Sequence, residues 1–473
     1  MGSSRKRRSS SLASRIQAAL APHVIPGARL TLGLSGGVDS VVLLDLLATL
    51  TGPLDFRLAC LHVHHGISRN ADAWAEAALA AAARYAVPCL VERVDIAPFR
   101  HLGLEGAARL ARYRAFERAG ADLIALAHQR DDQAETLLVQ LLRGTGVAGM
   151  AAMPILRDPG SGIAGQAGRF EAWSGIGSRG PELGERRVPR IVRPMLEVRR
   201  GEILAHASEH ALAWVEDESN ADLARTRNHL RHRVMPVLSE VRPGATAAIA
   251  RAAAHFGEAA SLLEDLARID AAACTHEGHL VVGKLATLTE PRARNLLRFH
   301  LAERGIAPPD ARKLAEILRQ LLWARGDASL EFALGEWCLR RYDGRVWIER
   351  AVRERPSWLR MRWTGERLLP VPALGGTLRF EPGVGDGVAA AALACDVEIR
   401  IRGGGERLRL HERGPRRALK DLFQEARVPP WLRSRLPLVH CDGELAWVPG
   451  LGADWRFRAR PGEAGVRISW DVA

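Results

Sequence analysis

The 473-residue chain is short of cysteine, of lysine and of long apolar runs. Its six cysteines (Cys60, Cys89, Cys274, Cys338, Cys395 and Cys441) include no C-x-x-C pair. That spacing excludes a disulfide framework and favours a reducing compartment, so a cytoplasmic protein is expected. No apolar stretch approaches the ~18 residues a bilayer demands, which excludes a membrane-spanning helix. Leu12 to Ala21 is interrupted by Arg15 and Gln17 and makes a poor signal-peptide core; the basic residues 1–12 read as a flexible tail. Only four lysines occur (Lys6, Lys284, Lys313 and Lys420), so the net charge of +13 is almost wholly arginine. That sign favours a polyanionic partner, although an arginine-rich surface of no consequence fits it too. Internal repeats are absent.

What is present is a globular composition, 47% hydrophobic and 26% charged, long enough for about three domains. In the first third, strand and helix signals alternate. Arg29 to Leu34, Phe56 to Val63, Pro88 to Val94 and Asp122 to Ala127 read as strands; Val41 to Leu47, Ala71 to Tyr85, Leu104 to Arg118 and Asp131 to Leu142 read as helices. The alternation predicts an α/β fold, a parallel sheet with helices on both faces, whose ligands bind at the carboxyl ends of the strands. Ser35, His64 and His128 all fall just past such ends. The expected organisation is a catalytic domain over 13–235 carrying a glycine-rich insertion at 157–190, a mainly helical domain over 236–350, and an α+β domain over 356–473. In the second of these, Leu314, Ile317, Leu318, Leu321 and Leu322 form one helical stripe, most simply core.

The hexapeptide Ser35-Gly36-Gly37-Val38-Asp39-Ser40 joins the first strand to its helix. Glycines let backbone N–H groups approach an anion, and the helix start adds partial positive charge. Asp39 would repel a bare phosphate but suits one bridged by Mg²⁺. The loop lacks the Gly-Lys-Ser/Thr of the Walker pattern. Asp132 and Glu135, three apart, share one face of a helix start, where they can hold an ammonium and accept its proton, or merely complement the helix dipole. Their position just past a strand end favours the first role. Arg109, Arg112, Arg114 and Arg118 form either a solvated face or a means of neutralising charge. The cluster His62, His64, His65 has only His128 as a distant companion and no nearby cysteine, so zinc is not expected.

SGGVDS resembles the signature of the PP-loop ATP pyrophosphatases. With His62-Val-His-His-Gly-Ile67, His128-Gln-Arg-Asp-Asp-Gln-Ala-Glu-Thr136, Leu141-Leu-Arg-Gly-Thr-Gly146, Glu216 to Asp222, Arg227-Asn228, Arg231, Leu419 to Ala426 and Val428-Pro-Pro-Trp431, the chain resembles the long, three-domain form of the tRNA(Ile)-lysidine synthetases. Gln129, where the family often has a second histidine, and Glu218, where a small residue or proline is usual, depart from it.

The resemblance implies ATP-dependent adenylation of the wobble cytidine O2 of the CAU-anticodon isoleucine tRNA. Attack by the side-chain amine of free L-lysine follows, with release of AMP and pyrophosphate, and codon specificity moves from AUG to AUA. It implies ATP binding by Ser35, Gly36, Gly37, Val38, Asp39, Ser40, His62 and His64, and Mg²⁺ held by Asp39 through the ATP phosphates. Catalysis falls to Asp39, Arg109, His128, Asp132 and Glu135, with lysine on Asp132 and Glu135. Contact with tRNA is expected of Arg193, Asn228, Arg231, Arg402, Lys420 and Arg433. Residues 396–436 carry a local +5 and 221–235 a local +3, as a phosphate backbone would attract. Monomer and homodimer are both left open. A tRNA-thiolating relative would need reactive cysteines that this chain scatters; a non-catalytic tRNA-binding homologue is the alternative of another class.

Overall fold

The computed structural model describes residues 11–158, 188–218, 222–324, 330–351 and 358–472. The expected tail, save Ser11 and Leu12, and the glycine-rich insertion, save its ends, lie outside the described residues. The chain forms two compact units, Met1–Ala273 with Leu288–Ala315, and Cys274–Thr287 with Glu316–Ala473.

The first unit opens with α1 (Leu12–Leu20), capped by Ser11, whose hydroxyl accepts from the Ser14 N–H at 3.2 Å. Ile16 and Leu20 on α1 are fully buried, so this segment is a core helix. Then follow β1 (Ala28–Gly33), α2 (Val38–Leu54), β2 (Phe56–His64), α3 (Ala71–Ala83), β3 (Cys89–Arg93), α4 (Gly103–Arg118), β4 (Leu123–Ala125), α5 (Arg130–Leu142), α6 (Val147–Met150), β5 (Leu156–Arg157), β6 (Arg190–Val192) and α7 (Arg200–Glu209). The sheet order is β3-β2-β1-β4-β6-β5, parallel except for β5. The four sequence-read strands and their helices are all present.

The chain winds one way through β1, β2 and β3, then crosses to β4 on the other side of β1. Such a reversal opens a crevice at the strands' carboxyl edge. The loops after β1 and β4 flank it. Helix α2 is buried nearly all round, with Val42, Leu43, Leu44 and Leu47 at 0% exposure. Each such side chain contributes about 1.5–3 kcal/mol of burial. Asp45 is a charged group within this core: it accepts from Tyr85 Oη at 2.7 Å and from His206 Nε2 at 2.7 Å, tying α2 to α7. Burial would push the Asp45 carboxyl up, but these donors hold it below its ordinary value.

Beyond α7 come α8 (Thr226–His229), a π-helical turn (Leu230–Val234), α9 (Met235–Val241) and α10 (Ala245–Cys274). Helix Glu290–Ala302 also belongs to this unit. In helix Ala311–Trp323 the expected stripe is buried at Leu314, Ile317, Leu318 and Leu321. The second unit is built of antiparallel sheets. One, with strands Leu330–Leu334, Trp337–Tyr342 and Arg345–Arg350, lies inside the stretch expected to be mainly helical; its strands are two to six residues long, too short for a period-2 signal to stand out. The others lie between 360 and 472, as the β-rich end anticipated.

Candidate active site

The loop after β1 has a conformation that its residues dictate. Gly36 sits at φ +89°, and a Cβ there would meet Val215 Cγ2 at 3.0 Å. Its carbonyl accepts from the Val215 N–H at 3.0 Å. Gly37 caps α2 without a side chain, leaving the helix-start N–H groups uncovered. Ser40 Oγ donates to the Gly37 carbonyl at 2.8 Å, and Ser35 Oγ donates to Ser40 Oγ at 3.1 Å, so the two hydroxyls brace the turn. Gly36→Ala should therefore strain the loop by about 1–2 kcal/mol. We expect a modest fall in melting temperature and a much larger loss of ATP affinity, read by thermal melting and ligand titration.

Asp39 lies on the first turn of α2. Its Oδ1 is buried and has no hydrogen-bond partner. Burial, then the charge of Asp132, pushes its carboxyl up to about 6, against Arg200 and Arg231. A buried carboxylate oxygen with nothing to neutralise it, beside an anion-binding helix start, fits a divalent cation.

Asp132 and Glu135 do share one face, at 9% and 1% exposure. Helix α5 is capped by Gln129, whose side chain accepts from the Asp131 N–H at 3.0 Å, while Asp132 Oδ2 accepts from the Gln129 N–H at 2.9 Å. Asp132 Oδ1 and both Glu135 oxygens are left for cations. They meet Arg227 (Nε to Glu135 Oε2, 2.7 Å; an NH2 nitrogen to Asp132 Oδ1, 2.8 Å) and Arg231 (Nε to Glu135 Oε1, 2.6 Å). Burial alone would raise the Asp132 carboxyl; Arg227, the Gln129 backbone N–H and Arg231 hold it below the ordinary range instead. The arginine pair was the site feature that sequence spacing hid, since it lies more than ninety positions from the acids. Arg231, expected on tRNA, clamps Glu135 from the π-helical turn, a feature frequent at functional sites.

The remaining expected residues divide. His128 ends the β4 loop with Nδ1 buried and unpartnered; burial holds its imidazole well below the usual range, so the ring is neutral. His62 Nδ1 pairs with the Leu34 carbonyl at 2.9 Å, steadying the phosphate loop from behind. His64 Nε2 lies 3.2 Å from Asp72 and from Arg93, within a polar network of β2, β3 and α3. Arg109 lies on α4, its NH2 nitrogen donating to Tyr113 Oη at 3.2 Å. Among the proposed tRNA contacts, Arg193 is only 2% exposed and its NH1 nitrogen donates to the Pro154 carbonyl at 2.9 Å, so it faces the interior. Asn228 is also buried, donating to the Asp222 carbonyl at 3.0 Å. In the second unit Lys420 is exposed, Arg402 is 3.6 Å from Glu406, and Arg433 donates to the Val428 carbonyl at 2.8 Å and to Tyr342 Oη at 3.2 Å. Glu218, the other departure, accepts from Ser68 at 2.6 Å and Asn70 at 3.0 Å, joining the loop after β2 to the segment before α8. The stretch 219–221 of that acidic motif lies outside the described residues.

A groove of about 1500 Å³ runs from Arg130 and Gln133 on α5 past Arg143 and Gly144 to Arg251 on α10 and Arg298 on helix Glu290–Ala302. Among the described residues, the one group with three clustered metal-ligating side chains is Asp45, His206 and His210.

Residues 8–238 match the PP-loop domain, 280–347 the TilS substrate binding domain and 397–470 the TilS substrate C-terminal domain. The tRNA(Ile)-lysidine synthase of Nitrosomonas europaea is 39% identical over 454 residues, covering 95% of this chain and 93% of that one. That of Aromatoleum aromaticum is 40% identical over 456 residues, covering 95% and 99%. A solved TilS C-terminal domain is 28% identical with a TM-score of 0.22, and covers 24% of this chain and 98% of that one. Matched over nearly its whole length by relatives of nearly equal extent, the chain belongs to the tRNA(Ile)-lysidine synthase family.

Proposed function

We propose that this enzyme adenylates the wobble cytidine of the CAU-anticodon isoleucine tRNA and then joins free L-lysine to it. One observation carries the reading: the phosphate loop and the acid pair occupy one edge of the sheet, near enough that the Asp132 charge acts on Asp39. Cytidine O2 attacks the α-phosphorus of ATP, an O–P bond forms, and pyrophosphate leaves toward the Gly37 helix start, whose N–H groups and dipole receive its charge. The lysine amine then attacks C2, the C2–O2 bond breaks, and AMP departs with the oxygen. Magnesium, when bound through Asp39, supplies positive charge to the triphosphate.

Asp132 and Glu135 hold cations in two-point geometry, as an incoming lysine ammonium requires. Arg227 and Arg231 occupy those oxygens here, so lysine binding entails partial release of the clamp on the π-helical turn. Once lysine is bound, its ammonium must lose a proton before attacking. The Asp132 and Glu135 carboxylates that hold the ammonium support a role in taking that proton. The arginine-lined groove supports passage of the anticodon strand, and Lys420 and the basic C-terminal stretch support contact with the rest of the tRNA. The family, Asp39 and the acid pair together leave the non-catalytic alternative without support.

Asp39 sets the acid limb of activity. A carboxyl raised to about 6 takes a proton below that pH, and the proton competes with the metal. The KM for Mg·ATP should rise about tenfold per pH unit below pH 6. Steady-state kinetics across pH 5–8 checks this; a KM flat through pH 6 would remove Asp39 from metal binding. The function itself is tested with purified protein, ATP, Mg²⁺, labelled lysine and a CAU-anticodon isoleucine tRNA. Label should enter the tRNA only when ATP is present, and ATP-independent or absent incorporation would refute it.

A further inference from the structure

Four arginines converge on one buried phenol. Tyr113 of α4 is 5% exposed and lies among Arg109 and Arg112 of its own helix, Arg157 of β5 and Arg193 just past β6. Arg109 donates to its oxygen at 3.2 Å and stacks 5.3 Å from the ring centroid. Arg193 hydrogen-bonds the same side chain, while its Nε is buried without a partner. Phe116 packs edge-on against the ring, 6.0 Å between centroids. Among the described residues, none of Arg109, Arg112 and Arg193 forms an ion pair. A guanidinium buried without a carboxylate is costly, and an apolar side chain would fill the space at less expense. A structural role alone therefore does not account for Arg193. Through Tyr113 it reaches Arg109, and its charge also acts on His128 at the strand end.

We propose that Arg193 is a positioning residue for adenylation: anchored on the Pro154 carbonyl, it fixes the Tyr113 oxygen, which in turn fixes the direction of the Arg109 guanidinium. The chain of contacts spans β6, α4 and the site edge, so it holds Arg109 against rotation about its long side chain. The surplus positive charge also leaves Arg109 free of any carboxylate that would compete with substrate phosphate. The proposal rests on the expectation above that Arg109 is one of the catalytic residues, neutralising charge as ATP reacts, and its charge does reach His128 at the strand end.

The test is pyrophosphate release by the full chain with ATP, Mg²⁺ and tRNA. Arg193→Gln should lower kcat about 10²-fold, the cost of slight misplacement, with KM for ATP unchanged. Arg193→Lys, which keeps charge and a donor, should recover part of the loss. In an Arg109→Ala background Arg193→Gln should cost nothing further, because the two act as one unit. Wild-type rates for Arg193→Gln, or an equal loss in both backgrounds, would overturn the proposal. Should Arg193→Gln fold poorly, Tyr113→Phe carries the same cycle.

An independent readout is ultraviolet titration of the three tyrosines. Burial pushes Tyr85 up to about 12, whereas at Tyr113 the arginines outweigh burial and pull the phenol below its ordinary value. In a Tyr342→Phe background, one tyrosine should ionise early; that phase should vanish in Tyr113→Phe and move up in Arg193→Gln. Absence of any early phase would mean the arginines do not converge on Tyr113 and would sink the idea. If the wild-type chain proved inactive, the proposed function would fail while the titration would still be readable.

Discussion

Asp39→Asn should cut pyrophosphate release by about 10³-fold while leaving the protein as stable as the parent or more so. The two halves of this expectation come from one feature. Asp39 is a carboxylate kept in a setting that disfavours its charge: burial and Asp132 push it up to about 6, and its Oδ1 has no partner. A group whose folded-state value is raised stabilises the fold when protonated and weakens it when ionised, so at neutral pH the native carboxylate opposes folding. Asparagine removes that charge at nearly constant shape. The melting temperature should hold or rise, measured without ATP at pH 7.5, as the catalytic rate collapses. A variant with parental rates would show that the strain at this position serves nothing; a variant both inactive and unfolded would show that Asp39 holds the fold.

Glu135→Gln should divide the reaction. Adenylation should survive, since Glu135 lies on the lysine side of the site and the phosphate loop is intact. Transfer of lysine to the adenylated tRNA should fall by about 10²- to 10³-fold, the cost of losing a charge aimed at the reacting group. Stability should fall as well. Glu135 is 1% exposed and meets two guanidiniums, and removing one member of such a buried set costs about 3–5 kcal/mol. Single-turnover assays of pyrophosphate release and of lysine incorporation separate the steps. Equal loss in both would mean that the acid pair serves the nucleotide rather than the amine.

The parts of the site that lie close in sequence were legible there. The turn from β1 into α2 shows itself by Gly36, which only glycine satisfies at φ +89°, and by the hydrophobic runs on either side. The spacing of Asp132 and Glu135 predicts a shared face on any helix. The strand-end positions of Ser35 and His128 follow from strand–helix alternation. What stayed hidden is what the chain assembles from afar. Arg227 and Arg231 read as a basic patch, because no local pattern distinguishes an arginine bound for a buried acid from one bound for phosphate. Arg193 reads as a surface cation for the same reason, yet is among the largest fully buried side chains. His206 and Asp45, 161 positions apart, gave no sign of meeting. Cys60 and Cys89, scattered in sequence, stand side by side in the β2–β3 register.

The most direct test of the account is mass spectrometry of the wobble nucleoside after the full chain has acted on a CAU-anticodon isoleucine tRNA with ATP, Mg²⁺ and isotopically labelled lysine. The account predicts a cytidine whose O2 has been replaced by the lysine side-chain nitrogen, carrying the label, with AMP formed in equal amount. An unaltered cytidine, or a change that carries no lysine label, would contradict it.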